Sequence, residues 1–131
     1  MAIAPVNFVP VAAGIAVFLV AALHVYILVL EMFLWRTRRG LRSFGMTQEV
    51  ADSSAKLAAN QGLYNGFLAA GLLWALFFYG VVNGRAILTF FLLCVIVAGI
   101  YGGVTVSRRI TLIQSVPAAI ALILVSLSSP T

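Results

Sequence analysis

Four apolar runs decide what this chain can become. They cover about residues 11–35, 55–82, 86–106 and 110–127 of 131. Each is long enough to cross a hydrocarbon layer about 30 Å thick, which takes a helix of about 20 residues. No water inside such a layer satisfies backbone N–H and C=O groups, so a spanning segment must close its hydrogen bonds within itself. The expectation is therefore an all-α membrane protein, a four-transmembrane-helix antiparallel bundle forming one domain over 1–131. Its main loop is 36–54.

Composition supports that class. The chain is 63 % hydrophobic and 8 % charged, with mean hydropathy +1.15, whereas soluble domains are about a quarter charged. The net charge of +5 comes from Arg36, Arg38, Arg39, Arg42, Lys56, Arg85, Arg108 and Arg109, all beside apolar runs. No extended basic face is left to track phosphates, so nucleic acid is not an expected partner. Cys94 is the only cysteine and His24 the only histidine, which excludes an intrachain disulfide and a His- or Cys-rich metal site. There is no GxSxG, P-loop or dinucleotide fingerprint. Catalytic residues are thus unknown, no cofactor is implied by these patterns, and the residues leave enzyme status undecided.

Charge placement sets orientation. Every basic residue except Arg85 follows the first or third run, which puts those loops in the cytoplasm and both termini outside. The location implied is the bacterial inner (plasma) membrane, multi-pass. No Lys or Arg precedes Arg36, so the first run reads as a retained span rather than a signal peptide. The arginine cluster after Trp35 is a topology signal, and its composition also attracts anionic lipid. Within the loop, Thr47 is placed to cap a helix that leads along the interface or straight into the second span. Pro5 and Pro10 discourage an earlier helix start, Asn83-Gly84 signals a tight turn between spans two and three, and Pro117 should kink the last span or free a carbonyl.

The second run is the unusual one. With Asn60 set at 0° on a helix, Tyr64 falls at about 40°, Gln61 at about 100° and Asn65 at about 140°. Gly62 and Gly66 fall at about 200° and 240°, a flat stripe beside that polar arc. One helix offers a hydrogen-bonding face and a close-packing face. By depth, Gln61 lines up with Glu31 on span one, Tyr101 on span three and Gln114 on span four, each about 6–8 Å in from the cytoplasmic side. His24 lies about 10 Å further out along the helix of Glu31. Buried carboxyls and histidines in spans are costly and usually functional. The candidate site is thus a cytoplasm-facing polar pocket centred on Glu31, with His24, Asn60, Gln61, Tyr64, Asn65, Tyr101 and Gln114, binding a small molecule or lipid. Two alternatives remain: a proton-coupled carrier using Glu31 and His24 in succession, and a purely structural scaffold. Glycine stripes on spans two and three, Gly62/Gly66 and Gly99/Gly102/Gly103, point to a homo-oligomer, a dimer or trimer.

Two segments together, His24-Val25-Tyr26 with Glu31-Met32-Phe33-Leu34-Trp35, and Asn60-Gln61-Gly62-Leu63-Tyr64-Asn65-Gly66-Phe67-Leu68-Ala69-Ala70-Gly71-Leu72, resemble an uncharacterised family of small, mainly bacterial four-span membrane proteins. Phe44-Gly45-Met46-Thr47 belongs to the same resemblance. It implies an integral membrane protein and no activity. A fainter similarity is to the membrane-associated eicosanoid and glutathione metabolism family, four-span trimers with outer termini. Lys56, Asn60 and Tyr64 fall where that family has a basic residue, Asn and Tyr, while Leu63 stands in place of its glutamate. What this second similarity implies is glutathione as cofactor for a transferase-like activity.

Reporter fusions at the two termini and within 36–54 test the orientation. The termini are expected outside and the loop in the cytoplasm. A cytoplasmic C-terminus would overturn the depth alignment along with the topology.

Overall fold

Asn7 opens the first helix. Its side-chain carbonyl accepts from the Val9 N–H at 3.1 Å, satisfying one of the donors that a helix start leaves open. The computed structural model describes residues 6–130, and all regular structure among them is helical; Pro5 lies outside the described residues. Helix α1 runs Val9–Met32, about 36 Å at 1.5 Å per residue. Pro10 occupies its first turn, where a missing N–H costs nothing.

The span expected to reach Trp35 ends at Met32. The Leu34 N–H is shared between the Val29 and Leu30 carbonyls, at 3.1 and 3.2 Å. Thr37 then captures the chain. Its hydroxyl donates to the Leu34 carbonyl at 2.7 Å and accepts from the Gly40 N–H at 3.4 Å. That cap starts α2, Arg38–Phe44, a helix hidden inside the expected loop. Gly45, at φ 62°, closes α2 in the left-handed conformation that favours glycine. Thr47 caps the next helix as expected, accepting from the Val50 N–H at 3.3 Å. This is α3, Gln48–Phe78, so the polar start and the apolar run form one helix.

Helix α3 stops at Phe78 and not at Val82. Gly80 adopts φ 73°, an end that a side chain would resist. A single helical turn follows, α4, Gly80–Asn83, and of the turn expected at Asn83-Gly84 the structure keeps Gly84 as the turn residue between two helices. Helix α5, Arg85–Thr105, begins directly after it. The last run starts as α6, Arg108–Ile110, widens into a π-helical turn at Thr111–Ser115 and continues as α7, Val116–Leu127. Pro117 accounts for the widening. In an α-helix its ring would clash with the carbonyl four residues back. The chain answers with a longer-range bond, the Val116 N–H to the Thr111 carbonyl, which opens the turn ahead of the ring. Four stretches, Val9–Met32, Gln48–Phe78, Arg85–Thr105 and Arg108–Leu127, are long and apolar enough to cross a membrane.

The chain divides into two compact units, one comprising Met1–Val20 with Gly71–Thr131, the other Ala21–Ala70. In the first, Val17, Leu72, Leu88, Leu92, Val95 and Val125 are buried. There α5 lies against the π-turn and α7, with contacts in opposite order along the two. Thr111 donates to the Gly99 carbonyl at 2.9 Å and Ser115 to the Ile96 carbonyl at 2.8 Å. At the other end of α5, Arg85 donates to the Ser128 carbonyl. A Cβ added at Gly99 would meet Ser115 Oγ, and one at Gly103 would meet Thr111 Oγ1. The glycine stripe of the third span thus seats the last span of the same chain.

Gly99→Leu is expected to destabilise this unit by about 1–3 kcal/mol, the usual cost of overpacking a tight contact. Thermal unfolding of the detergent-purified protein, followed by helical circular dichroism, reads it. A melting temperature equal to that of the parent would show that the close approach is not needed.

Candidate functional site

The unit Ala21–Ala70 holds most of the predicted site. Its end of α1 carries His24, Leu28 and Glu31, and its part of α3 carries the second span's glycines. A Cβ at Gly62 would lie 2.7 Å from Met32 Cγ and 3.0 Å from Glu31 Cβ, and one at Gly66 would lie 2.6 Å from Leu28 Cδ1. The glycine stripe is thus the seat of α1. Small residues let two helix backbones come this close, and the approach brings a side-chain pair together. Asn65 Nδ2 donates to Glu31 Oε2 at 2.9 Å and also to the Gln61 carbonyl at 3.1 Å. Both amide N–H bonds of Asn65 are engaged, which fixes its carbonyl and the rotamer of its partner.

Of the predicted cluster, Glu31 and Asn65 are joined side chain to side chain across two helices, and Asn65 also reaches the backbone of Gln61. Asn60, Gln61 and Tyr64 are exposed on the other side of α3. The wheel contains the reason. If the stripe at about 200–240° faces α1, the arc centred near 50–100° must face away, and only Asn65, at its edge, turns in. His24 is fully buried. Tyr101 and Gln114 belong to the other unit. Tyr101 is exposed; Gln114 is half-buried in the π-turn beside Gly99. Tyr26 accepts from Arg39 Nη1 at 3.4 Å.

Glu31 opens into a cleft of about 410 Å³, lined also by Met32, Phe33, Trp35, Arg36, Thr37, Ala55, Lys56 and Ala59. Its size is in the range of small-ligand sites, about 300–1,000 Å³. Three kinds of surface meet there: a carboxyl held by an amide, two cations, and apolar walls. Trp35 is locked in place. Its indole N–H donates to Ser54 Oγ at 3.1 Å, and its ring lies 4.6 Å from that of Phe44. Ser54 in turn donates to the Val50 carbonyl at 2.6 Å, so this wall is tied to the backbone of α3. Arg36 and Lys56 were not among the residues singled out for the pocket. Lys56 does precede Asn60 by one helical turn, and that spacing alone places it near the same end of α3. Among the described residues no group of three or more His, Cys, Asp or Glu could hold a metal ion.

Comparison with known proteins bears out the first of the two resemblances. Residues 18–126 match the model of a family described as Protein of unknown function (DUF1304). The chain is 36 % identical over 107 residues to Uncharacterized protein YpaA of Lactococcus lactis subsp. lactis (strain IL1403), an overlap of 80 % of this chain and 88 % of that protein. No solved structure matches it. The matched region contains both members of the Glu31–Asn65 pair and the whole of the cleft. The chain belongs to the DUF1304 family, a family of unknown function.

Proposed function

We propose that this is a multi-pass membrane protein that binds a small amphiphile in the cleft of Glu31. In this reading the four long helices form an antiparallel bundle in the bacterial inner membrane, with the basic segments cytoplasmic and both termini outside. The observation that carries it is the Glu31–Asn65 hydrogen bond at a cleft that also presents Arg36 and Lys56. A ligand that fits has an anionic group for the two cations, a donor for the carboxyl, and an apolar part for Met32, Phe33 and Ala59. The carrier reading has less behind it, because the chain beyond His24 on α1 offers only apolar side chains as far as Asn7.

Glu31→Gln keeps the shape of the side chain and its bond to Asn65. It is expected to change stability by less than about 1 kcal/mol, since hydrogen bonds between membrane helices average about 0.6. A saturating ligand stabilises its protein by about 2.7 kcal/mol at a hundred times its Kd. Thermal shift across a panel of lipids and small amphiphiles, glutathione included, should find a ligand that stabilises the parent and not the variant. An equal response of both proteins to every compound rejects the site.

A homo-oligomer is also proposed, through a different surface from the glycine stripes. Asn60, Gln61 and Tyr64 are exposed near one end of the part of α3 that fits in a membrane. Amides facing hydrocarbon are costly, and a second copy brings the same amides to meet them. The double substitution Asn60→Leu, Gln61→Leu should weaken association by about 1–2 kcal/mol and shift native mass spectra toward monomer. A parent that is monomeric at all concentrations, or a variant that assembles unchanged, overturns this.

A further inference from the structure

The basic helix α2 has two faces. Setting Arg38 at 0°, Arg42 falls at about 40°, Arg39 at about 100° and Ser43 at about 140°, while Gly40, Phe44 and Leu41 occupy about 200–300°. The second face is packed: Gly40 is buried, a Cβ on it would meet the Leu34 and Trp35 carbonyls, and Phe44 lies against Trp35. The first face borders a cleft of about 560 Å³, lined by Tyr26, Arg38, Arg39, Arg42 and Ser43. Among the described residues none of these arginines forms an ion pair, and Arg39 is oriented by its bond to Tyr26 Oη. A topology signal requires only positive charge. It does not require a helix capped at both ends, with three guanidinium groups and a hydroxyl turned onto one cleft.

We propose that this cleft binds the phosphate headgroup of an anionic phospholipid. Guanidinium forks match phosphate oxygens two at a time, and Ser43 adds a hydroxyl donor. The position favours a lipid over free phosphate. Arg38 follows the end of α1 by six residues, at the level where headgroups lie if α1 spans the membrane. Tyr26 extends the cleft wall back along α1, where Ala22 and Val25 are also exposed. A headgroup on the arginines therefore has an apolar path for its acyl chain. The site shares no lining residue with the cleft of Glu31 and stands whether or not that cleft binds an amphiphile.

The test uses the full chain in mixed micelles of phosphatidylglycerol and phosphatidylcholine with matched acyl chains, and native mass spectrometry counts the retained lipid. Charge near an anionic surface is worth about fivefold per arginine. The parent should therefore retain phosphatidylglycerol at least about fivefold over phosphatidylcholine. Replacing Arg38, Arg39 and Arg42 together by Lys keeps the charge, and so the topology, but loses the forks; the preference should fall at least about threefold. Should that variant misfold, Arg39→Lys and Tyr26→Phe, which each alter one contact, should each lower the preference measurably. Equal retention of the two lipids by the parent overturns the proposal. So does an undiminished preference in the Lys variants. Loss of the bound lipid on adding millimolar inorganic phosphate would show a free-phosphate site and likewise reject the lipid assignment.

Discussion

The close approach of α1 and α3 at Gly62 and Gly66 is the contact on which the candidate site depends. Neither glycine can gain a Cβ without meeting Leu28, Glu31 or Met32. Only at this separation does a short side chain such as Asn65 reach across to Glu31. The amide is therefore a product of the packing and not its cause. Helices in a bilayer gain little from hydrophobic association, and interhelical hydrogen bonds add only about 0.6 kcal/mol on average. Dispersion contacts between flat surfaces must do most of the work, and the polar pair selects the register at which those surfaces meet.

The same economy is seen in the other unit, with different residues. Thr111 and Ser115 each spend a hydroxyl on a carbonyl of α5, at Gly99 and Ile96. A hydroxyl that would otherwise bond back to its own helix thus becomes a link between two. The π-turn makes this possible, since one extra residue in the turn changes which side chains face α5 just before Pro117. What looks from the sequence like a breaker in a span is compensated within one turn. The helix is re-aimed without being broken.

Much of this was legible in the sequence, for reasons that are physical. Apolar runs of spanning length must be helices, and Thr47 had the right side chain at the right place to begin α3. Helix ends were harder, because they turn on local events that hydropathy averages away. Gly80 and Thr37 each moved a boundary, one through a left-handed backbone and the other through a hydroxyl that captures two backbone groups. Helix α2 was invisible to hydropathy because four of its residues are arginine or serine, and its short apolar face is completed only by Trp35. The polar arc of α3 illustrates a further limit. Its residues were correctly grouped, but a wheel does not say which of two faces meets the neighbouring helix; the glycines did, and Asn60, Gln61 and Tyr64 were left outside.

Trp35 has a consequence of another kind. The chain has two tryptophans, and they sit in opposite circumstances. Trp35 lines the cleft beside Glu31, with its N–H bonded to Ser54 and its ring against Phe44. Trp74 is about half exposed and stacks edge-on with Tyr79 in the other unit. Indole emission depends on the polarity and rigidity around the ring. The molecule thus carries its own optical gauge: one lamp set in the wall of the cleft and a second, remote from that wall in sequence, to serve as the reference.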